Sequence, residues 1–182
     1  MSRYREMAER RKEDAKYEPL NILVWGPGYP GPNAPQEKRL AYEKRIKIRD
    51  TLRIEFPRAE VYFSEDSERI QIAEGIGGQL RKEALQASVS NLILMLDIGR
   101  GVDLELDYFV PKYSWFRDKV FVLLPEQYVS SQGLVKEILD YLKEEQVQGF
   151  SQDEFDSCQT TVKAVNFAHG VALACYLEKF ER

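Results

Sequence analysis

The chain has 182 residues, 43% of them hydrophobic and 31% charged, with a formal net charge of −4. That length fits a single domain with one substantial core. The acidic balance excludes a bulk nucleic-acid binder, which carries a basic excess, and no stretch approaches the roughly 18 uninterrupted apolar residues of a membrane helix.

Residues 1–19 mix both charge signs with few large apolar groups and read as a charged arm or solvated helix. It ends before Pro19, which disfavours helix at Glu18. The segment is charged from its start and shows no secretory apolar region. Residues 20–182 read as one α/β domain. Asn21–Trp25 is an apolar run of strand length, closed by Gly26-Pro27-Gly28-Tyr29-Pro30-Gly31-Pro32. From about 35 to 56, Ala41, Ile48, Leu52 and Phe56 recur at helical spacing, and Pro57 ends the helix. Residues 60–63 form a second strand, followed by the acidic loop 64–68. Ile72, Ile76, Leu80, Ala84 and Ala87 mark a helix, but Gly75, Gly77 and Gly78 delay its start to near Gln79.

Leu92–Leu96 is the most apolar strand and is expected to be central, with Asp97-Ile98-Gly99-Arg100-Gly101 at its carboxyl end. A helix from about Val102 runs to Pro111 and the aromatic residues Tyr113, Trp115 and Phe116. Residues 119–124 are the fourth strand, Leu134–Leu142 stripes a further helix, and 146–150 supplies a short edge strand. The last helix is expected to run unbroken over about 153–180, with Phe155, Cys158, Val162, Val165, His169, Ala172 and Tyr176 along its apolar stripe. A stripe this broad suggests burial against the sheet and against a second copy, so a homo-oligomer is expected. Cys158 and Cys175 lie too far apart on one helix to bridge. Free thiols fit a reducing compartment, and the expected location is cytoplasmic.

Strand–helix alternation repeated about five times implies parallel strands with right-handed crossovers and helices on both faces. The expected fold is a single-domain, flavodoxin-like or Rossmann-like three-layer α/β sandwich. In such sheets ligands bind beyond the carboxyl ends of the strands, where strand order reverses. Three loops are singled out: 26–33, 64–68 and 97–105. The first packs three glycines and three prolines into seven residues, is neither GxGxxG nor a P-loop, and presents Tyr29 to a planar ligand. In the third, Gly101 precedes a helix whose first turn carries Asp103 and Glu105. The helix dipole favours acids there in any protein. Glu105, however, is placed to point back toward the mouth of the central strand, as a nucleophile or general base. Arg100 is a candidate phosphate contact.

The Gly26-Pro27 turn after the first strand, with Gly101-x-x-x-Glu105 and Tyr108 after the third, resembles the nucleoside 2-deoxyribosyltransferase family and its N-glycosidase relatives. The order of strands and helices agrees over about 20–180, although the literal match covers only a handful of positions. The family's aspartate two residues before the glycine is Gly99 here, so Asp97 or Asp103 would have to replace its hold on the sugar. Asp107 and Phe109 alter the pocket wall, which leaves the substrate open. The resemblance implies a retaining double displacement on a nucleoside or nucleotide. Glu105 would be the nucleophile and Asp97, Asp103 or Asp66 the second acid. Gly26, Pro27, Gly28, Tyr29, Asp66, Gly99, Arg100 and Gly101 would line the substrate. No cofactor or metal is implied: 64–68 reads as a solvated acidic loop and His169 as a buried or interface residue. Two rivals stand beside this reading, a TIR-like NAD hydrolase and a non-catalytic nucleotide-sensing domain.

Overall fold

All five residues of β3 (Leu92–Leu96) are buried, as a parallel strand covered on both faces requires. The computed structural model describes residues 3–66, 70–71, 74–97, 100–129 and 134–180, and the backbone alone for 100–104 and 134–135. β3 is the middle strand of one five-stranded sheet with β1 (Asn21–Trp25), β2 (Glu60–Tyr62), β4 (Val120–Pro125) and β5 (Val147–Phe150), in the order β2-β1-β3-β4-β5. Every pairing is parallel, in register through Ile22↔Val61, Leu23↔Ile93, Leu94↔Phe121 and Leu123↔Gln148.

The helices, in chain order, are α1 (Arg3–Ala15), α2 (Gln36–Glu55), α3 (Gln79–Ser88), α4 (Arg100–Lys112), α5 (Ser114–Arg117), α6 (Glu126–Val129), α7 (Leu134–Leu139), α8 (Gln152–Asp156) and α9 (Gln159–Glu178). Alternation along the strands sorts the core into two layers. Ile22, Val24, Leu94 and Leu123 face α1, α2, α8 and α9, whereas Leu23, Trp25, Met95 and Val122 face α3, α4, α5 and α7. The result is the expected three-layer α/β sandwich. No helix among the described residues is long and apolar enough to cross a membrane.

Three expectations need correction. The last helix is not continuous, because Cys158 adopts a left-handed conformation (φ 66°) between α8 and α9. Ser151 starts α8, its hydroxyl accepting from the Glu154 N–H while the Glu154 carboxylate accepts from the Ser151 N–H. The face α9 buries is made of small residues, Thr161, Ala164, Ala168 and Ala172, while Val162 is exposed and His169 lies on the shoulder. On α3 the buried side chains are Glu83, Gln86 and Ala87, and Leu80 is exposed. The N-terminal segment takes the helical form of the two expected, exposed along its length up to Ala15, and its last turn docks on α9. Ala15 is buried, the Tyr176 hydroxyl donates to Asp14 at 3.3 Å, and Lys179 pairs with Glu18 at 2.5 Å.

The alanine seam lets α9 lie close to the sheet and to α2. Leucine at position 168, where no side-chain surface is exposed, would have to push these layers apart. Ala168→Leu is therefore expected to destabilise the fold by about 1–3 kcal/mol, read as a lower midpoint in chemical denaturation.

Candidate active site

The strand order reverses between β1 and β3, so the crevice at their carboxyl ends is where this architecture places a ligand. Gly26 closes the end of β1 against β3. A Cβ there would lie 3.0 Å from the Leu96 carbonyl oxygen and 3.3 Å from the Leu96 Cβ and the Arg45 Cδ, at a φ of 155° that side chains rarely adopt. Beneath the loop lies Arg45 of α2, only 1% exposed. Its Nε and Nη2 donate to the Val24 carbonyl at 3.2 and 2.8 Å, and Nη1 donates to the Pro27 carbonyl at 3.2 Å. Both terminal nitrogens also grip Glu65, at 2.5 and 2.9 Å, in the bidentate geometry for which guanidinium is suited. The guanidinium stacks 4.0 Å above the Phe63 ring. One buried side chain therefore joins the mouths of β1 and β2.

The β2 mouth carries two carboxylates of opposite character. Burial pushes the Glu65 carboxyl up, but hydrogen bonding and charge from Arg45, with help from its own N–H and Ser64, more than reverse this and leave it below the usual range. Glu83 on α3 is 8% exposed and accepts from Gln79 Nε2 at 2.7 Å. Burial raises its pKa, the Gln79 bond opposes, and the Glu65 charge adds to the rise. Gln86, a turn further along α3, donates to the Ser64 carbonyl at 3.0 Å and fixes the helix to the same loop.

At the β3 mouth, Asp97 is buried and its N–H donates to the Leu123 carbonyl at 2.8 Å. α4 follows at once, and Glu105 is half-buried in its second turn. In the same layer lies Trp25, tilted against Phe109 and stacked on Phe116 at centroid distances of 5.4 and 5.7 Å. Its indole N–H is buried and has no hydrogen-bond partner among the described residues. Tyr108, one turn beyond Glu105, accepts from Lys112 Nζ at 2.8 Å. That bond, the first cause, helps hold its phenol below the ordinary value, and Arg81 of α3 adds to the effect from across the layer. α3 and α4 thus converge over the same strands.

The other nominated residues divide. The Pro27 carbonyl belongs to the Arg45 grip, Gly28 has open space around it, and Tyr29 is 70% exposed, edge-on to Tyr42 at 5.7 Å. Asp66 turns back on its own loop, its carboxylate accepting from the Phe63 N–H at 2.8 Å. Gly99 lies outside the described residues, as do the side chains of Arg100 and Asp103 in the first turn of α4, where Gly101 also sits. His169 pairs with Glu55 at 3.1 Å, at the end of α2 remote from the strand mouths. Arg45 and Glu83 escaped notice in the sequence, and Glu65, expected only as part of a solvated acidic loop, is instead held by the buried Arg45. The available signal was Arg45 falling in step with Ala41, Ile48 and Leu52 on an otherwise apolar face. Among the described residues no group of three or more His, Cys, Asp or Glu is placed to hold a metal ion.

No family model matches this chain, and no curated protein matches it.

Arg45→Met would strand the Val24 and Pro27 carbonyls and leave Glu65 without its partner, and is expected to cost about 2–4 kcal/mol at neutral pH. Glu65 titrates below its unfolded value, so its share of the pair's contribution is present above the ordinary carboxylate range. It fades as pH falls through the folded value, and the gap between variant and parent should narrow in acid. Glu83 has the opposite sign. Its raised pKa means that ionisation above the folded value destabilises the chain. Glu83→Gln should therefore raise the thermal midpoint at pH 7, with the gain vanishing below pH about 4.5, the ordinary glutamate value. Melting curves of parent and both variants across that range check the two signs together.

Proposed function

We propose that the crevice between β1 and β3 cleaves or transfers the N-glycosidic bond of a nucleoside or nucleotide, with Glu105 as nucleophile. The observation that carries this reading is the position of Glu105. It is half-buried on the helix that follows the central strand, whose carboxyl end lies at the strand-order reversal.

In this reading a Glu105 oxygen attacks C1′ of the sugar. The C1′–N bond breaks with its electron pair moving to the base, and a carboxylic acid protonates the departing nitrogen. Glu83 suits that second role better than Asp66, which is occupied in its turn. Burial keeps a proton on Glu83 nearer to neutrality. Water then attacks C1′ of the ester, gives its proton to the Glu83 carboxylate and releases Glu105. A second base in place of water gives transfer rather than hydrolysis. Asp97 and Asp103 remain the candidates for holding sugar hydroxyls, with Gly26–Tyr29 and Gly99–Gly101 around the substrate. Tyr29, exposed at the loop tip, is positioned to cover a flat base. A cytoplasmic homo-oligomer goes with this reading, the exposed Val162 and Phe180 of the last helical segment offering apolar surface to a second copy.

Glycine at position 99, where the related enzymes hold the sugar with aspartate, favours a rival: a domain that binds nucleotides without turnover. One chromatographic assay separates the two. Purified chain is incubated with ribo- and deoxyribonucleosides, their 5′-monophosphates and NAD, with and without a second free base. Release of base that falls by about a thousandfold or more in Glu105→Gln is the expected result. Release from NAD alone would favour the TIR-like hydrolase. Absence of release from every substrate overturns the catalytic reading, and saturable binding without release establishes the sensor.

A further inference from the structure

The two outer strands of the sheet, β2 and β5, end in the same arrangement of side chains. In a parallel ladder a strand turns the backbone groups of successive residues alternately toward one side and the other. At β2 the Glu60 N–H donates to the Leu20 carbonyl at 2.7 Å. Glu60 and Tyr62 thus face β1, and Val61 and Phe63 face outward. On β4 the Leu123 carbonyl accepts from the Asp97 N–H on the β3 side at 2.8 Å, so Leu124 turns toward β5. Gly149 lies opposite Leu124 in register, and in a parallel pair the residues flanking it make the bonds. Gly149 and Ser151 therefore face outward.

Outward N–H and C=O groups are where a further strand attaches. On each edge one of either kind is already occupied. At β2 the Val61 carbonyl accepts from Arg53 of α2, through Nε at 2.9 Å and Nη2 at 2.6 Å, and the Phe63 N–H donates to the Asp66 carboxylate at 2.8 Å. At β5 the Gly149 carbonyl accepts from Lys163 of α9 at 2.7 Å, and the Ser151 N–H donates to the Glu154 carboxylate at 3.0 Å. A cation on one carbonyl and a carboxylate on the next outward N–H supply the donor and the acceptor that a neighbouring strand would offer. At β5 the two are also joined to each other, Lys163 Nζ lying 2.8 and 2.9 Å from the Glu154 oxygens. The hydrogen bond from Lys163, followed by that from the Ser151 N–H, holds the Glu154 carboxyl below the ordinary glutamate range.

An incoming strand would have to displace these side chains or cover their charges, and a covered charge without its partner costs more than a ladder bond returns. The same pairing of cation and carboxylate recurs on two edges built from unrelated segments. We infer that Arg53 with Asp66, and Lys163 with Glu154, close the sheet at both ends against strand addition by a second copy of this chain. Copies of the chain then meet through helical surfaces or not at all.

Each edge is opened separately in the full chain, by Arg53→Met and by Lys163→Met, which keep the bulk and remove the donor. Lys163→Arg, which keeps a donor, is the control. Sedimentation velocity over a wide range of concentration reads association, and amide hydrogen exchange at Val61 and Gly149 locates it. The parent and Lys163→Arg should sediment alike. Each methionine variant, with the parent's circular-dichroism spectrum, should form an added species as concentration rises, in which the outward amide of the opened edge exchanges at least tenfold more slowly. Where one variant loses that spectrum, the other edge decides. A folded methionine variant that sediments as the parent does at every concentration overturns the inference. So does new association that leaves the outward amide unchanged, or association of the parent that protects it. Loss of the native spectrum in both variants would make these side chains supports of the fold rather than closures of its edges, and overturns it equally.

Discussion

The guanidinium of Arg45 is the contact on which the ligand end of this fold depends. A parallel sheet leaves the last carbonyls of its strands short of donors, and a loop rich in proline cannot supply them from its own backbone. Arg45 rises from the interior of α2 and supplies that need for Val24 and Pro27, while Glu65 in the loop after β2 balances its charge. A lone buried cation would be costly, so the arrangement works as a set. The Gly26 loop, the β2 mouth and the third turn of α2 hold their positions because one planar group reaches all of them.

Legibility from sequence followed the kind of burial involved. β1 and β3 were plain, since a strand covered on both faces must be apolar at every position, and few other elements are. The delayed start of α3 followed from three glycines, and Gly78, at φ 86°, is where the helix begins. The break before α9 was hidden, because left-handed backbone usually announces itself through glycine or asparagine and here falls on Cys158. The start of α8 was found from the apolar stripe alone; the Ser151–Glu154 capping box that fixes it says nothing of where that helix stops. The buried face of α9 was misread for a related reason: packing selected small residues there, and the larger Val162 lies outside.

The charged part of the crevice was the least visible. Periodicity separates apolar from polar faces, so an arginine or glutamate turned inward reads as a solvated residue out of place. Arg45 is buried because its partners, Glu65 and the β1 mouth, come from elements distant in sequence, whereas Glu83 is buried with Gln79 one turn before it on α3. The loop glycines and Glu105 stood out because they adjoin strand ends, and strand ends can be found. Among the described residues Asp97 and Glu83 are buried on or beside the α3–α4 layer, and Arg45, on the α2 side of the sheet, is buried with Glu65 as its partner. Keeping acids in so dry a place costs stability, which is a common property of sites organised for chemistry.

Trp25 turns this geometry into an optical property. The chain has two tryptophans, and they occupy unlike surroundings. Trp115 is partly exposed on α5, whereas Trp25 is 4% exposed at the end of β1, sandwiched among phenylalanines. The indole adjoining Gly26 thus emits from an apolar, water-poor environment, at shorter wavelength than its partner on the surface. Its spectrum belongs to the crevice rather than to the molecule at large. Any event that admits water to the β1 mouth, or fills it, will be written in the colour and quenching of that one residue, with no label attached.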